Sequence, residues 1–134
     1  TMAHYSRVPR LLRQMHRLKT GALLQGSVLM GALCGHAAPA AYQALSDYGA
    51  AMGLAFQVVD DILDVVADSA TLGKTAGKDA AADKPTYVSL LGLERAQAYA
   101  QELLAEAHAA LGRRGLPDTR GLAALADMVV RRSH

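Results

Sequence analysis

Six of the chain's twelve acidic residues lie between Asp60 and Asp83. The densest group is Asp60-Asp61-Ile62-Leu63-Asp64, preceded by Phe56-Gln57-Val58-Val59. On a helix, Asp60 and Asp64 stand one turn apart, about 6 Å along the axis, with Gln57 three residues earlier on the same face. Apart from Asp61 the residues between them are apolar, so the carboxylates project from an otherwise apolar helix. Adjacent carboxylates repel, Asp is a poor helix former, and a position near a helix C-terminus disfavours anions. A bound cation offsets all three costs. Hard divalent cations take oxygen ligands, and Mg²⁺ is typically held by one or two carboxylates together with substrate phosphates and water. Taken alone, the same cluster also suits a solvated acidic face continued by Asp68.

The next segment carries Gly73-Lys74, Gly77-Lys78-Asp79 and Lys84-Pro85-Thr86-Tyr87. Flexible ammonium groups on a glycine-bearing loop supply point charge to phosphate oxygens while a metal bridges others. Lys19-Thr20 stands at the edge of a charge-free stretch, where a lysine either extends to solvent or faces an anion. Each piece alone is ordinary. Together they are the parts of a diphosphate site.

These groups need helices to hold them. The chain has 134 residues, 51% of them apolar, 4% aromatic and 19% charged, which suits one domain. Its only cysteine, Cys34, excludes a disulfide framework and a cysteine-rich zinc site, and points to a reducing, cytoplasmic setting. Charge is too sparse for a disordered chain. Alanine-rich periodicity predicts an all-α fold. One helix is expected from Pro9 to about Gly35, with Leu11, Met15 and Leu18 on one stripe. A second runs from Pro39 or Ala40 to about Val66, with Tyr48, Met52, Phe56 and Val59 spaced three to four apart. Residues 68 to 85 read as a loop. A third helix covers Leu93 to Leu111, with Glu94, Glu102 and Glu106 outward, and Thr119 to Arg132 closes the chain, its terminal arginines favoured by the dipole.

Charge is unevenly spread. Residues 1 to 46 hold five bases and no acid, whereas the remainder holds nine bases and twelve acids. Residues 20 to 46 contain no Lys, Arg, Asp or Glu, long enough to raise a membrane span. Gln25, Ser27, His36, Pro39 and four glycines in that stretch, and the lack of an aromatic belt, argue against one. A helix buried on most sides in a large bundle is the expectation instead. The apolar stretch lies too far behind a basic lead for a signal peptide. The basic run from Arg10 to Lys19 is too short, and too isolated from other basic surface, for a nucleic-acid or membrane-surface element.

The order Lys19-Thr20-Gly21-Ala22, Gly53-Leu54-Ala55-Phe56-Gln57, Asp60-Asp61-Ile62-Leu63-Asp64, Gly73-Lys74, Lys84 with Thr86-Tyr87, and Leu90-Leu91-Gly92-Leu93 resembles the C-terminal half of the short-chain isoprenyl diphosphate synthases, most of all the bacterial farnesyl diphosphate synthase type. The resemblance runs from about Leu12 to the C-terminus, where Ala124-Leu125-Ala126-Asp127 also fits. It implies an isoprenoid-synthase-type helical bundle and a prenyltransferase condensing isopentenyl diphosphate with dimethylallyl or geranyl diphosphate to a farnesyl-length product. It further implies that Asp60, Asp61 and Asp64 take part in binding Mg²⁺, with Asp60 as the direct ligand and Mn²⁺ as a substitute, and that Lys19, Lys74 and Lys84 hold the allylic diphosphate. Thr20 and Gln57 turn their dipoles to the developing allylic cation, and Phe56 forms a wall of the prenyl pocket. The implied assembly is a homodimer.

Members of that family are about twice this long and carry, in their N-terminal half, a first aspartate-rich motif followed by paired arginines. No second aspartate-rich motif of this kind occurs here, and neither Arg113-Arg114 nor Arg131-Arg132 follows one. The expectation is that residues 9–134 form the C-terminal part of one synthase domain, that residues 1–8 are an unassigned lead or cloning remnant, and that the 134 residues alone are inactive. The alternative is a non-catalytic helical subunit, or a split half active only with a partner chain. A domain of this size buries only about two-thirds of its unfolded surface, so this apolar excess marks an incomplete core.

Overall fold

Pro39 lacks the N–H that a first-turn residue would leave unbonded anyway, and it starts α2, Pro39–Thr71, the longest helix. The computed structural model describes residue 11, residues 17–71, 86–113 and 115–132, and of residues 17, 18 and 68–71 only the backbone. Before α2 come a π-helical turn, Arg17–Gly21, and α1, Ala22–Cys34. After it come α3, Tyr87–Leu91, α4, Leu93–Leu111, and α5, Arg120–Arg131. Among the described residues there is no strand, so the fold is all-α.

Along α2, Ala41, Ala44, Tyr48, Ala51, Ala55, Val58 and Ile62 are buried at steps of three and four, the spacing of one helix face. The matching face of α4 is Ala96, Ala100, Leu103, Ala107 and Ala110. Alanines on both sides let α2 and α4 pack along much of their length. The core divides in two along α2. Tyr48, Met52, Leu111 and Ala126 fill one part. Ala55, Val58, Val59, Ile62, Tyr87, Leu103 and Val130 fill the other, directly beneath the acidic cluster.

Polar pins fix the elements. Tyr48 Oη donates to the Leu122 carbonyl at 2.7 Å, joining α2 to α5. His108 Nε2 and Asp127 Oδ1 lie 2.8 Å apart between α4 and α5. Gln25 Nε2 donates to the Ser46 carbonyl at 3.0 Å and its hydroxyl at 2.9 Å, tying α1 to α2. The Arg113 guanidinium bonded to Asp47 holds that carboxyl below the ordinary carboxylate range.

α1 and α2 pack closely because glycines line the contact. A Cβ on Gly53 would stand 2.5 Å from the Cα of Gly21, and one on Gly49 2.9 Å from the Cα of Gln25. These are backbone atoms with no flexible end to yield. The charge-free stretch therefore resolves into two helices. Its break is a Schellman-type turn, with His36 N–H bonded to the Leu33 carbonyl, Ala37 N–H to that of Ala32, and His36 left-handed at φ 53°. α1, at about 20 Å, falls short of the roughly 30 Å of a bilayer core, and no described helix is long and apolar enough to cross a membrane. It is apolar around its circumference, with Leu23, Met30 and Leu33 exposed.

Most expected boundaries match: α1 ends at Cys34, α4 spans Leu93 to Leu111, and α5 lies within Thr119 to Arg132, with Glu94, Glu102 and Glu106 exposed. α2 differs, running five residues past Val66, since no Gly or Pro occurs before Gly73 to stop it. The short α3 was not expected. Thr86 starts it by a reciprocal cap, accepting from Ser89 N–H at 3.0 Å while its own N–H donates to Ser89 Oγ at 2.8 Å. Met15 of the first predicted stripe lies outside the described residues.

Candidate active site

The three aspartates of the cluster do not share one role. Asp61 is 6% exposed. Its Oδ2 accepts the Tyr87 N–H at 2.9 Å and its Oδ1 accepts Gln57 Nε2 at 3.1 Å. Asp61 thus joins α2 to the first residue of α3, with both carboxylate oxygens turned into the protein. Each oxygen of Asp61 already accepts one N–H of the protein, whereas a metal ligand needs a lone pair turned to the ion. The physical reason is helical: Asp61 is 100° around the axis from Asp60, which brings it under α3.

Asp60 is half-buried and Asp64 exposed. With Phe56 they repeat every four residues and form one outward ridge of α2. Phe56 and Asp60 share one partner. Arg132, the C-cap residue just after α5, places Nη1 3.2 Å from Asp60 Oδ1 and its Cζ 4.6 Å from the Phe56 ring centroid. Arg132 Nε also donates to the Val129 carbonyl at 3.1 Å.

Gln57 is fixed by its neighbour. Because Nε2 donates to Asp61, the amide carbonyl points to the opposite side, leaving an acceptor dipole with a defined orientation. Thr20 is half-buried and Lys19 exposed, both in the π-helical turn. Such widened turns are rare and frequent at functional sites. The contact of Gly21 with Gly53 sets this turn against α2 one helical turn before Gln57. Lys74 and Lys84, expected to hold diphosphate, lie outside the described residues.

A divalent cation fits part of this arrangement. Asp60 and Asp64 are accessible carboxylates one turn apart, a donor set suited to Mg²⁺ sharing its coordination with water and phosphate. They do not form an all-protein cage. Among the described residues no group of three or more His, Cys, Asp or Glu converges on one point.

The model of the family described as "Polyprenyl synthetase" matches residues 4–114. The chain belongs to the polyprenyl synthetase family. It is 59% identical over 101 residues to a "Probable farnesyl diphosphate synthase" of Sinorhizobium fredii (strain NBRC 101917 / NGR234), covering 72% of this chain and 30% of that protein. It is 46% identical over 125 residues to the farnesyl diphosphate synthase of Escherichia coli (strain K12), covering 91% of this chain and 42% of that one. Among solved structures, it superposes on a proposed farnesyl-diphosphate synthase from Marinomonas sp. MED121 with a TM-score of 0.71 and 38% identity, over 89% of this chain and 39% of that one. The chain therefore spans well under half the length of these relatives. It supplies a correspondingly partial set of polyprenyl synthetase elements.

Two participants escaped the motif reading. Arg132 lies 72 residues from Asp60 in sequence, and its only sequence signal was a basic residue at the end of an amphipathic helix. Tyr87 contributes a backbone N–H, which no residue type announces. The capping pair Thr86 and Ser89 was its available signal.

Proposed function

We propose that this chain builds the C-terminal half of the active site of a prenyltransferase, which condenses isopentenyl diphosphate with dimethylallyl or geranyl diphosphate to farnesyl diphosphate. The single observation carrying this reading is the division of the acidic cluster: two outward carboxylates at Asp60 and Asp64, beside a Gln57 amide locked by the inward Asp61.

In this reading Asp60 and Asp64 would hold Mg²⁺, which supplies Lewis-acid stabilisation of a departing diphosphate. Lys19, Lys74 and Lys84 bind the allylic diphosphate and neutralise charge as it leaves, a preorganised electrostatic role. The Gln57 carbonyl and the Thr20 hydroxyl present oxygen dipoles to the allylic cation without trapping it covalently. Phe56 forms part of an apolar wall that keeps water from the cation until the alkene attacks. The remaining proton passes to the departed diphosphate.

The reading assigns the other half of the site to a preceding segment or a partner chain. The exposed apolar face of α1, with Leu23, Met30 and Leu33, supports such a cover and also favours the second reading, a split half active only in a complex. We place the assembly as a cytoplasmic homodimer. The test is incorporation of labelled isopentenyl diphosphate in the presence of Mg²⁺. The 134 residues alone give no turnover. The same residues within a full-length polyprenyl synthetase do, and Asp60→Asn lowers kcat there by about 10²–10³-fold. Unchanged kcat in that variant, or turnover by the 134 residues alone, refutes the proposal.

A further inference from the structure

The guanidinium of Arg132 occupies the same ridge of α2 that the proposed cation must use. It is held there from three sides: 3.2 Å from Asp60 Oδ1, 4.6 Å from the centre of the Phe56 ring, and 3.1 Å from the Val129 carbonyl. Val130, fully buried in the core beside Ala55 and Val59, anchors the end of α5 so that Arg132 projects over α2. Stacking on an aromatic face and pairing with a carboxylate are what a planar guanidinium does best. Phe56 and Asp60, four residues apart on one helix face, form a matched seat for it. Asp60 is one of the two accessible carboxylates of the acidic cluster, and it already has a counter-ion.

We propose that Arg132 is a positioning residue that serves as the resident counter-cation of Asp60, competing with a divalent cation for that carboxylate. A doubly charged ion on Asp60 weakens the Arg132 ion pair, because the ion repels the guanidinium at short range and draws on the same carboxylate charge. Cation binding at Asp60 therefore promotes displacement of Arg132 and loosening of the terminal turn of α5, while the Phe56 stack favours the guanidinium's return. This inference rests on the proposed role of Asp60 and adds a competitor to it. Both groups of the pair are about one-third exposed, with side-chain accessibilities of 33% and 38%. The competition is therefore modest, of the size of a partly solvated ion pair.

The test is binding of Mn²⁺ alone to the full 134-residue chain, followed by electron paramagnetic resonance of the free ion, with far-UV circular dichroism confirming that each variant is helical. Arg132→Gln is expected to tighten Mn²⁺ binding by about two- to fivefold. Arg132→Lys keeps the charge and loses the planar stack, so its affinity falls between the two. The difference between wild type and Arg132→Gln shrinks as ionic strength rises. Phe56→Leu, which removes the seat and leaves Arg132 in place, also tightens binding and serves if Arg132→Gln is misfolded. Asp60→Asn separates the two ideas. If it weakens Mn²⁺ binding while Arg132→Gln leaves affinity unchanged or lowers it, the counter-cation role is overturned and the Asp60 role stands. If Asp60→Asn has no effect, or wild type does not bind Mn²⁺, both are overturned.

Discussion

A single methyl group at Gly53 tests how the site is positioned. A Cβ there would lie 2.5 Å from the Cα of Gly21, against the roughly 3.5–4 Å at which carbon atoms rest. The backbones of the π-helical turn and α2 would have to part by about 1 Å. Overpacking of this kind costs about 1–3 kcal/mol, occasionally more, and the rigid neighbour here argues for the upper part of that range. Alanine returns about 1 kcal/mol of helix propensity, so Gly53→Ala is expected to destabilise the chain by about 1–2 kcal/mol. Gly31, exposed in the last turn of α1 with nothing within 4 Å of its would-be Cβ, is the control. Its replacement by alanine carries only the propensity gain of about 1 kcal/mol. The two variants should differ by about 2–3 kcal/mol, or roughly 6–12 °C in Tm for a chain of this size. Urea unfolding followed by circular dichroism measures this as a shift in midpoint at constant m-value. The same 1 Å displacement separates Lys19 and Thr20 from Gln57, an error of the size that costs about 10²-fold in rate when it misaligns reacting groups. Equal stabilities for Gly53→Ala and Gly31→Ala would refute the close-approach argument.

Tyr48→Phe removes the bond to the Leu122 carbonyl and is expected to cost about 1 kcal/mol. Burial raises the Tyr48 pKa above its ordinary value of 10.0, so the native tyrosine contributes stability that is fully present below pH 10 and is lost as pH rises beyond it. The gap between wild type and Tyr48→Phe in urea midpoint should therefore narrow from pH 7 to pH 11, and a gap constant with pH would contradict the assignment. Asp61→Asn sets an amide against Gln57 Nε2 and the Tyr87 N–H, of which it can accept only one through oxygen. A loss of about 1–3 kcal/mol is expected, with Mn²⁺ affinity within about twofold of wild type because Asp61 is turned away from the accessible carboxylates. A large loss of Mn²⁺ binding in that variant would make Asp61 a ligand, as the family resemblance implies.

Helix existence was legible wherever one face had to be buried. Tyr48, Met52 and Val59, or Ala96, Leu103 and Ala110, repeat at a helical spacing and are buried, whereas Phe56, spaced with the first set, is half-buried on the outward ridge beside Asp60. The site was legible as a set of residue types and only partly as a geometry. Asp60-Asp61-Ile62-Leu63-Asp64 announces carboxylates on a helix, but one residue is 100° of rotation. Which carboxylate faces solvent depends on what packs against α2. The helix that captures Asp61 begins 26 residues later at Tyr87 and is five residues long, too short to show periodicity. Arg132 likewise reaches Asp60 only because the burial of Val130 fixes the end of α5.

The excess of apolar residues has the same explanation as the asymmetry of the aspartates: both depend on what covers a helix face. α2 has packed neighbours in α1, α4, α3 and α5, so its residues divide cleanly into buried and exposed. Among the described elements, α1 packs chiefly against the π-helical turn and α2. It nevertheless carries apolar residues all round, with Leu23 71%, Met30 68% and Leu33 64% exposed. A helix of that composition is stable in water when a second layer covers it. The chain accounts for 30% of one relative and 42% of another, and in the proposed reading the remaining helices form that layer. The face of α1 that they would cover belongs to the same helix whose first residues follow Lys19 and Thr20. Covering α1 and completing the diphosphate site are then a single packing event. If so, polar replacement of Leu23 and Met30 should leave the stability of these 134 residues within about 0.5 kcal/mol, as at an ordinary surface. The same changes should destabilise a full-length polyprenyl synthetase by several kcal/mol, as at a core position. Equal effects in the two would show that α1 has no second layer.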